Sequence, residues 1–197
     1  MREPIWKSYM ITTAEPVLNS QQCDELIRIG ESEPKINASI GAGIKNERVN
    51  NNYRKSNISW IPFPKAIPIY QVIGQWMETT NNNFFGFDNV QIAEQGQFST
   101  YFKGGFYDWH MDSNVTMSSM PNVRKISMSL LLNDPKEFEG GDLDIFCGDS
   151  LDSKGNKITL QRGCAVFFAS FLLHRVNTVT KGTRKTLVMW FSGTPLR

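Results

Sequence analysis

The chain contains two histidines, and the residues around them could do chemistry together. His110 lies in the run Tyr107-Asp108-Trp109-His110-Met111-Asp112, two residues before an acid, and His174 follows much later. In an extended segment, side chains at i and i+2 share a face, so His110 and Asp112 can converge on one point. A second strand bringing His174 alongside would complete a set of two imidazoles and one carboxylate. A lone histidine is usually a satisfied core or surface residue. The three together make a different object, a ligand set that covers one face of Fe(II) and leaves open positions opposite, as non-haem oxygen chemistry requires.

Such a site needs rigid elements to hold it. Asn19-Ser20 offers an N-cap, and Cys23, Leu26, Ile27 and Gly30 follow at helical spacing, which predicts a first helix over about 20–32 with Pro34 beyond it. Residues 9–18 read as an opening strand. The polar stretch 37–59 reads as a loop or hairpin returning through Arg54-Lys55-Ser56 to an apolar strand that ends at Trp60-Ile61. Pro62, Pro64 and Pro68 punctuate the next turn, and Ile69, Val72, Ile73, Trp76 and Met77 then share one helical face that ends near Asn81-Asn82-Asn83.

From about residue 90, short β-branched and aromatic runs alternate with Gly, Asn and Asp turns. The expected strands are Val90–Phe102, Tyr107–Met111, Lys125–Leu132, Leu143–Phe146, Lys157–Leu160, Ala165–Ala169, His174–Val179 and Arg184–Ser192. The fold class expected is mainly β with flanking helices: a double-stranded β-helix, or jelly roll, of about eight strands with two N-terminal helices packed outside. We read residues 1–197 as a single domain, with 1–89 as helical and loop support and 90–197 as the catalytic core.

Composition narrows the class. The chain has 197 residues, 40% hydrophobic, with 13 Phe and 5 Trp, enough for one ordered domain with a real core. No apolar run reaches bilayer length, and the opening Met1-Arg2-Glu3-Pro4-Ile5-Trp6-Lys7 lacks the apolar stretch of a secretory signal. A net charge of +2 with scattered basic residues does not argue for nucleic acid. Cys23, Cys147 and Cys164 lack metal or redox spacing and read as idle thiols of a reducing, cytoplasmic compartment. The segment from Asp149 to Asn156 has the flavour of a calcium loop, but its Asp spacing is wrong for an EF-hand, and it reads as a polar turn.

The residues from about 90 to 192 resemble the 2-oxoglutarate- and Fe(II)-dependent dioxygenases, specifically the prolyl 4-hydroxylase-like group and its compact PKHD-type relatives. The resemblance rests on Tyr101 and Gly105 leading into Tyr107-x-Trp109-His110-x-Asp112, on Arg124 through Asn133, on Glu139-Gly140-Gly141-Asp142-Leu143, and on His174 through Arg184. It implies that His110, Asp112 and His174 bind Fe(II), and that 2-oxoglutarate and dioxygen take the open positions. It implies that Arg184, ten residues after His174, holds the distal carboxylate of 2-oxoglutarate through a charge-assisted pair. Arg rather than Lys there matches the PKHD-type members.

Tyr101 matches a family tyrosine that contacts 2-oxoglutarate, although an aromatic core residue is the ordinary alternative. Ser127 matches a small hydroxyl position beside the cosubstrate, and Thr186 is a further candidate contact. Leu131 departs from the pattern, since some prolyl hydroxylases carry a second cosubstrate tyrosine there. Trp190 matches a tryptophan near the substrate mouth, with ordinary packing equally open, and Arg54 is the other candidate substrate contact. Gly104-Gly105 supplies a turn before the metal segment, Gly140-Gly141 allows close approach or positive φ, and Gly182 is expected in a turn that aims Arg184 inward.

The implied reaction hydroxylates a C–H bond while 2-oxoglutarate becomes succinate and carbon dioxide, with ascorbate as a candidate reductant. The stretch from Ser113 to Pro121 and the polar stretch 38–56 are placed as the family's substrate-covering loops are. Peptidyl-proline is the substrate expected first, so a peptide or protein partner. The alternatives are a free amino acid or other small metabolite, and a binding module that senses Fe(II) or 2-oxoglutarate without turnover. Nucleic-acid dealkylating relatives carry a second arginine six residues after the position of Arg184, and here that residue is Trp190. Neither nucleic acid nor membrane is expected as a partner, and the sequence leaves the oligomeric state open.

Overall fold

Local signals set the two helices. Asn19 accepts a hydrogen bond from the Gln22 backbone N–H at 2.9 Å, and the Gln22 side chain accepts one from the Asn19 N–H, so α1 (Ser20–Ser32) begins with a complete capping box. Pro68 sits in the first turn of α2 (Ile67–Thr80), where a missing N–H is harmless. A π turn, Asn81–Phe85, follows and is capped by Gly86. Both helices therefore lie where the sequence places them.

The computed structural model describes residues 8–37, 53–113, 123–146 and 155–194. Among these, the strands are β1 (Met10–Thr12), β2 (Ile36–Asn37), β3 (Arg54–Lys55), β4 (Asn57–Ile61), β5 (Gln91–Ile92), β6 (Gly96–Phe102) and β7 (Phe106–His110). They continue as β8 (Val123–Leu131), β9 (Phe138–Gly140), β10 (Leu143–Ile145), β11 (Asn156–Ile158), β12 (Ala165–Ala169), β13 (His174–Val176) and β14 (Val179–Gly193). The larger sheet runs β1-β12-β8-β14-β6-β4-β2, with β5 and β9 also paired to β14; the smaller runs β11-β10-β13-β7-β3.

Strict alternation makes this two-sheet arrangement. On β8, Ile126, Met128 and Leu130 join the core shared with Cys23, Leu26 and Ile29 of α1 and with Ile69, Ile73 and Met77 of α2. Leu187, Met189 and Phe191 do the same from β14. The alternate residues point the other way, since successive strand side chains take opposite faces. There Tyr101, Leu131, Val166 and Phe168 of the larger sheet pack with Leu143, Ile145 and Val176 of the smaller. The helices thus cover one face of the larger sheet, while its other face, carrying the polar residues Ser127, Thr186 and Arg184 among the apolar ones, looks toward the second sheet.

Several boundaries differ from expectation. Strands from before residue 90 enter both sheets, and β4 lies directly against β6. The stretch expected as Val90–Phe102 forms two strands, β5 and β6. β13 ends at Val176, short of the expected Val179, although the Asn177 N–H still donates to the Asp142 carbonyl opposite it. β14 begins at Val179, so Arg184 lies inside a long strand and not at its start. Gly182 is likewise inside β14, not in a turn. Its φ is +70°, and a Cβ there would lie 1.9 Å from the Glu137 carbonyl oxygen, so the β9 side of the ladder requires glycine. Cys147 and residues 149–154 of the expected turn from Asp149 to Asn156 lie outside the described residues, as do residues 38–52 and 114–121 of the expected covering loops. Cys23 and Cys164 are buried free thiols. No helix among the described residues is long and apolar enough to cross a membrane.

Candidate active site

β13 and β7 pair antiparallel with His174 directly opposite His110, and the two rings lie 4.0 Å apart. Each ring is oriented by its own backbone. His110 Nδ1 is 2.8 Å from the Asp108 carbonyl oxygen, and His174 Nδ1 is 3.0 Å from that of Leu172. A carbonyl only accepts, so Nδ1 carries the proton in both rings, and the free lone pair of the neutral imidazole is on Nε2. Both Nε2 atoms face Asp112: His110 at 3.7 Å from Oδ1 and His174 at 3.4 Å from Oδ2. One ligand atom from each of the three residues falls within 4.8 Å of the others.

The electrostatics suit a cation at the centre. Burial, and then the neighbouring His174, push the His110 pKa down to about 3, so this imidazole is neutral. Burial works against the charge of Asp112, but His174, His110 and the Ser127 hydroxyl outweigh it and hold the carboxyl well below the usual range. Burial also works against a charged His174, yet the facing carboxylate outweighs it and raises that imidazole. An ionised carboxylate between two imidazoles is attractive to a divalent cation, which would take the place of the proton favoured on His174.

Asp112 reaches this point by a route the spacing alone does not describe. β7 ends at His110, and Asp112 lies beyond it in a bend. Its backbone N–H, and that of Ser113, donate to the Ser170 carbonyl at 3.0 and 2.9 Å. Ser127 Oγ donates to Asp112 Oδ2 at 2.7 Å and lies 2.9 Å from Ser170 Oγ. The structure therefore places Ser127 against the candidate metal ligand.

Arg184 and Thr186 lie further along the same inner face. Arg184 is only 4% exposed, yet no carboxylate lies within ion-pair distance of it among the described residues. Burial lowers its pKa, against the opposing pull of Tyr101 and Asp142. Tyr101 is its register partner across β6, and the guanidinium carbon is 5.8 Å from the ring centre. Thr186 is fully buried, and its hydroxyl has no hydrogen-bond partner among the described residues. Gly141, with φ +68°, makes room here, since a Cβ would stand 3.0 Å from Arg184 Cδ and 2.8 Å from Val179 Cγ2. Leu131 is buried and packs in the same intersheet cluster as Tyr101.

A second group surrounds the histidines. Tyr107 stacks on His110 with ring centres 3.5 Å apart and planes 15° from parallel. Three residues separate these positions by number, which would set them on opposite faces of a regular strand. A register shift between His174 and Val176 absorbs the extra residue and turns Tyr107 to the histidine side. Arg54 lies over the Tyr107 ring at 4.3 Å, buried, with Ser56 as its hydrogen-bond partner. Burial, opposed by Arg54, pushes the Tyr107 phenol up to about 12, so it remains a donor. Trp190 is buried, its indole N–H without a partner among the described residues, and its ring lies 6.2 Å from that of Trp60. Arg124 lies 3.8 Å over the Trp190 ring and pairs with Glu94 through two 2.7 Å bonds.

The sequence reading named Tyr107 and Arg124 without giving them roles, and it missed Glu94 and Ser170. The bulge that aims Tyr107 has no local sequence signal. Ser170 could have been noticed only as a polar residue at the end of the apolar run Ala165–Ala169.

Comparison with known proteins follows this geometry. The family model described as the 2OG-Fe(II) oxygenase superfamily matches residues 96–192. A PKHD-type hydroxylase of Picosynechococcus is 43% identical over 93 residues, which span 47% of this chain and 39% of that protein. A PKHD-type hydroxylase of Psychrobacter is 28% identical over 191 residues, covering 92% of this chain and 68% of its own length. Among solved structures, the viral collagen prolyl hydroxylase of Paramecium Bursaria Chlorella virus-1, as its 2OG complex, superposes with a TM-score of 0.68 at 20% identity, covering 95% of this chain and 97% of that one. That likeness shows a shared double-stranded β-helix fold.

Proposed function

Because the chain belongs to the 2OG-Fe(II) oxygenase superfamily, in its prolyl hydroxylase-like group, we propose that it hydroxylates a C–H bond of a peptidyl proline with Fe(II), 2-oxoglutarate and dioxygen. The observation that carries the reading is the convergence of two neutral-capable Nε2 atoms and one ionised carboxylate within 4.8 Å, inside the same two-sheet core as a buried arginine with no carboxylate partner among the described residues. Two His and one Asp fit Fe(II) with open positions. The unpaired Arg184 and the orphaned Thr186 hydroxyl fit a dianionic cosubstrate that completes their hydrogen bonds.

His110, Asp112 and His174 would hold the metal, and Arg184, Thr186 and Tyr101 would hold 2-oxoglutarate by its distal carboxylate. When bound, metal and cosubstrate supply the oxidation that converts 2-oxoglutarate to succinate and carbon dioxide as the substrate gains oxygen, with ascorbate as a candidate reductant. The chain's own residues do the rest. Leu131, Phe168 and Val176 exclude water from the intersheet space. Tyr107, protonated and in ring contact with both Arg54 and His110, would offer a hydroxyl donor near the metal ligands. Trp190, held by Arg124 and Glu94, offers a flat apolar wall with an indole N–H to spare, which suits a pyrrolidine ring flanked by peptide carbonyls.

Arg54 favours a second reading. It is a further buried cation with no carboxylate partner among the described residues, as a small substrate bearing its own carboxylate, such as a free amino acid, would require. A non-catalytic sensor is the third possibility.

Succinate release from 2-oxoglutarate with Fe(II) in air separates these readings, run with and without proline-containing peptides and with mass spectrometry of the products. Peptide-stimulated succinate with one oxygen gained on proline is the expected result. Succinate coupled to oxidation of a free amino acid, but not of any peptide, would establish the second reading. Metal and cosubstrate binding without succinate under any condition would make the protein a sensor.

A further inference from the structure

Two of the three candidate ligands, His110 and His174, are held by strand register, each opposite the other in one antiparallel pair. Asp112 has no such support, because it lies past the end of β7. Something else must fix its carboxylate. Resting on the metal-site reading, we propose that Ser170 and Ser127 form a two-hydroxyl relay that positions Asp112 for metal binding.

The direction of the relay follows from proton counting. An ionised carboxylate only accepts, so the 2.7 Å contact commits the single Ser127 hydroxyl proton to Asp112 Oδ2. The 2.9 Å contact between the two serines must then be donated by Ser170 to the Ser127 oxygen. Ser170 holds Asp112 at both ends. Its carbonyl takes the Asp112 N–H, and its hydroxyl reaches the carboxylate through Ser127. Its own N–H donates to the Lys125 carbonyl, which ties the clamp to the strand β8 that carries Ser127. Both serines are fully buried, so water does not compete for these bonds.

Oδ2 is the oxygen engaged by Ser127, and it also faces His174 Nε2. A carboxylate held by one oxygen cannot rotate freely about its last bond, which sets the side chain before metal arrives. Partners of this kind around metal ligands change metal affinity by ~10- to 100-fold when removed. The relay makes Ser127 and Ser170 positioning residues of the metal site; a cosubstrate contact for Ser127 is the competing assignment.

The test measures Mn2+ binding, by the loss of the free-ion EPR signal, and 2-oxoglutarate binding to the Mn2+-loaded protein. The variants are Ser127→Ala, Ser127→Thr, Ser170→Ala and the double alanine variant, with far-UV circular dichroism and metal-free thermal midpoints as folding controls. We expect Ser127→Ala to weaken Mn2+ binding by ~10- to 100-fold and Ser127→Thr to restore it. Ser170→Ala should weaken it less, and should add nothing in the Ser127→Ala background, because it acts through the Ser127 oxygen. Unchanged Mn2+ affinity in Ser127→Ala, or an additive Ser170→Ala effect, would overturn the relay. Loss of 2-oxoglutarate affinity at normal Mn2+ affinity would overturn it in favour of a cosubstrate contact. Failure of the unaltered protein to bind Mn2+ would sink the metal-site reading itself, which keeps the two failures distinct.

Discussion

Arg184 and Tyr101 stand directly opposite each other on β14 and β6, with the guanidinium carbon 5.8 Å from the tyrosine ring centre and no carboxylate paired to the arginine among the described residues. A buried cation left this way lowers the stability of the empty protein and raises its affinity for an anion of the right shape. The same positions therefore link stability to ligand binding.

Replacing Arg184 should separate the two. Arg184→Met should raise the thermal midpoint of the ligand-free protein, since it removes a desolvated charge. It should also abolish stabilisation by 2-oxoglutarate. Arg184→Lys should keep a point charge but lose the bidentate fork, weakening 2-oxoglutarate by roughly 10- to 100-fold, the worth of about 1.5–3 kcal/mol for a charged hydrogen bond. Thermal shift titrations with 2-oxoglutarate check both; full stabilisation of Arg184→Met would remove Arg184 from the site.

Thr186→Val is the sharper probe, because it trades an orphaned hydroxyl for a methyl of similar size. The ligand-free protein should gain about 1–3 kcal/mol, the cost of an unsatisfied buried polar group, measured by urea unfolding. The KM for 2-oxoglutarate should rise at unchanged protein concentration and metal. A variant that is less stable than the parent would mean that the hydroxyl finds a partner within the protein.

Metal loading should stabilise the fold through the three ligands. Mn2+ at a hundredfold excess over its dissociation constant should add about 2.7 kcal/mol to the unfolding free energy, by mass action alone. His174→Ala should erase this increment and succinate release together, leaving a folded protein by circular dichroism. If His174→Ala still showed the increment, the ion would be binding elsewhere.

Cys23 provides a pH signature remote from the site. Burial pushes its thiol up, partly offset by the nearby Arg162. The folded value is raised above the unfolded one, so the contribution is fully present below the ordinary thiol range of about 8.5 and is lost as pH rises through the folded value. Stability should decline on that alkaline limb, and less steeply in Cys23→Ala. Alkylation of Cys23 by iodoacetamide should likewise require unfolding; rapid labelling of the native protein would contradict its burial.

Much of this molecule could be read from local patterns. The Asn19 cap and the Pro68 first turn bounded the two helices because such signals act within a few residues. Short β-branched and aromatic runs spaced by Gly, Asn and Asp turns after residue 90 announced a two-sheet core, because runs of that length and spacing form short antiparallel strands. The identities of His110, Asp112, His174 and Arg184 told what chemistry a meeting of them would allow, since ligand preference is a property of the side chains themselves.

Only the tertiary structure decided how they meet. Residue parity holds within one strand, and it says nothing across β13 and β14, which belong to different sheets. Asp112 converges with His110 because Ser170 and Ser127, distant in sequence, hold a bend after β7. Tyr107 reaches the histidines because a bulge spends one residue of β7 against β13. Arg54 joins them because β3 pairs with β7 across a long separation in sequence. Each of these depends on contacts between elements whose relative placement is set by the packing of the whole core, and no local window of sequence carries that information.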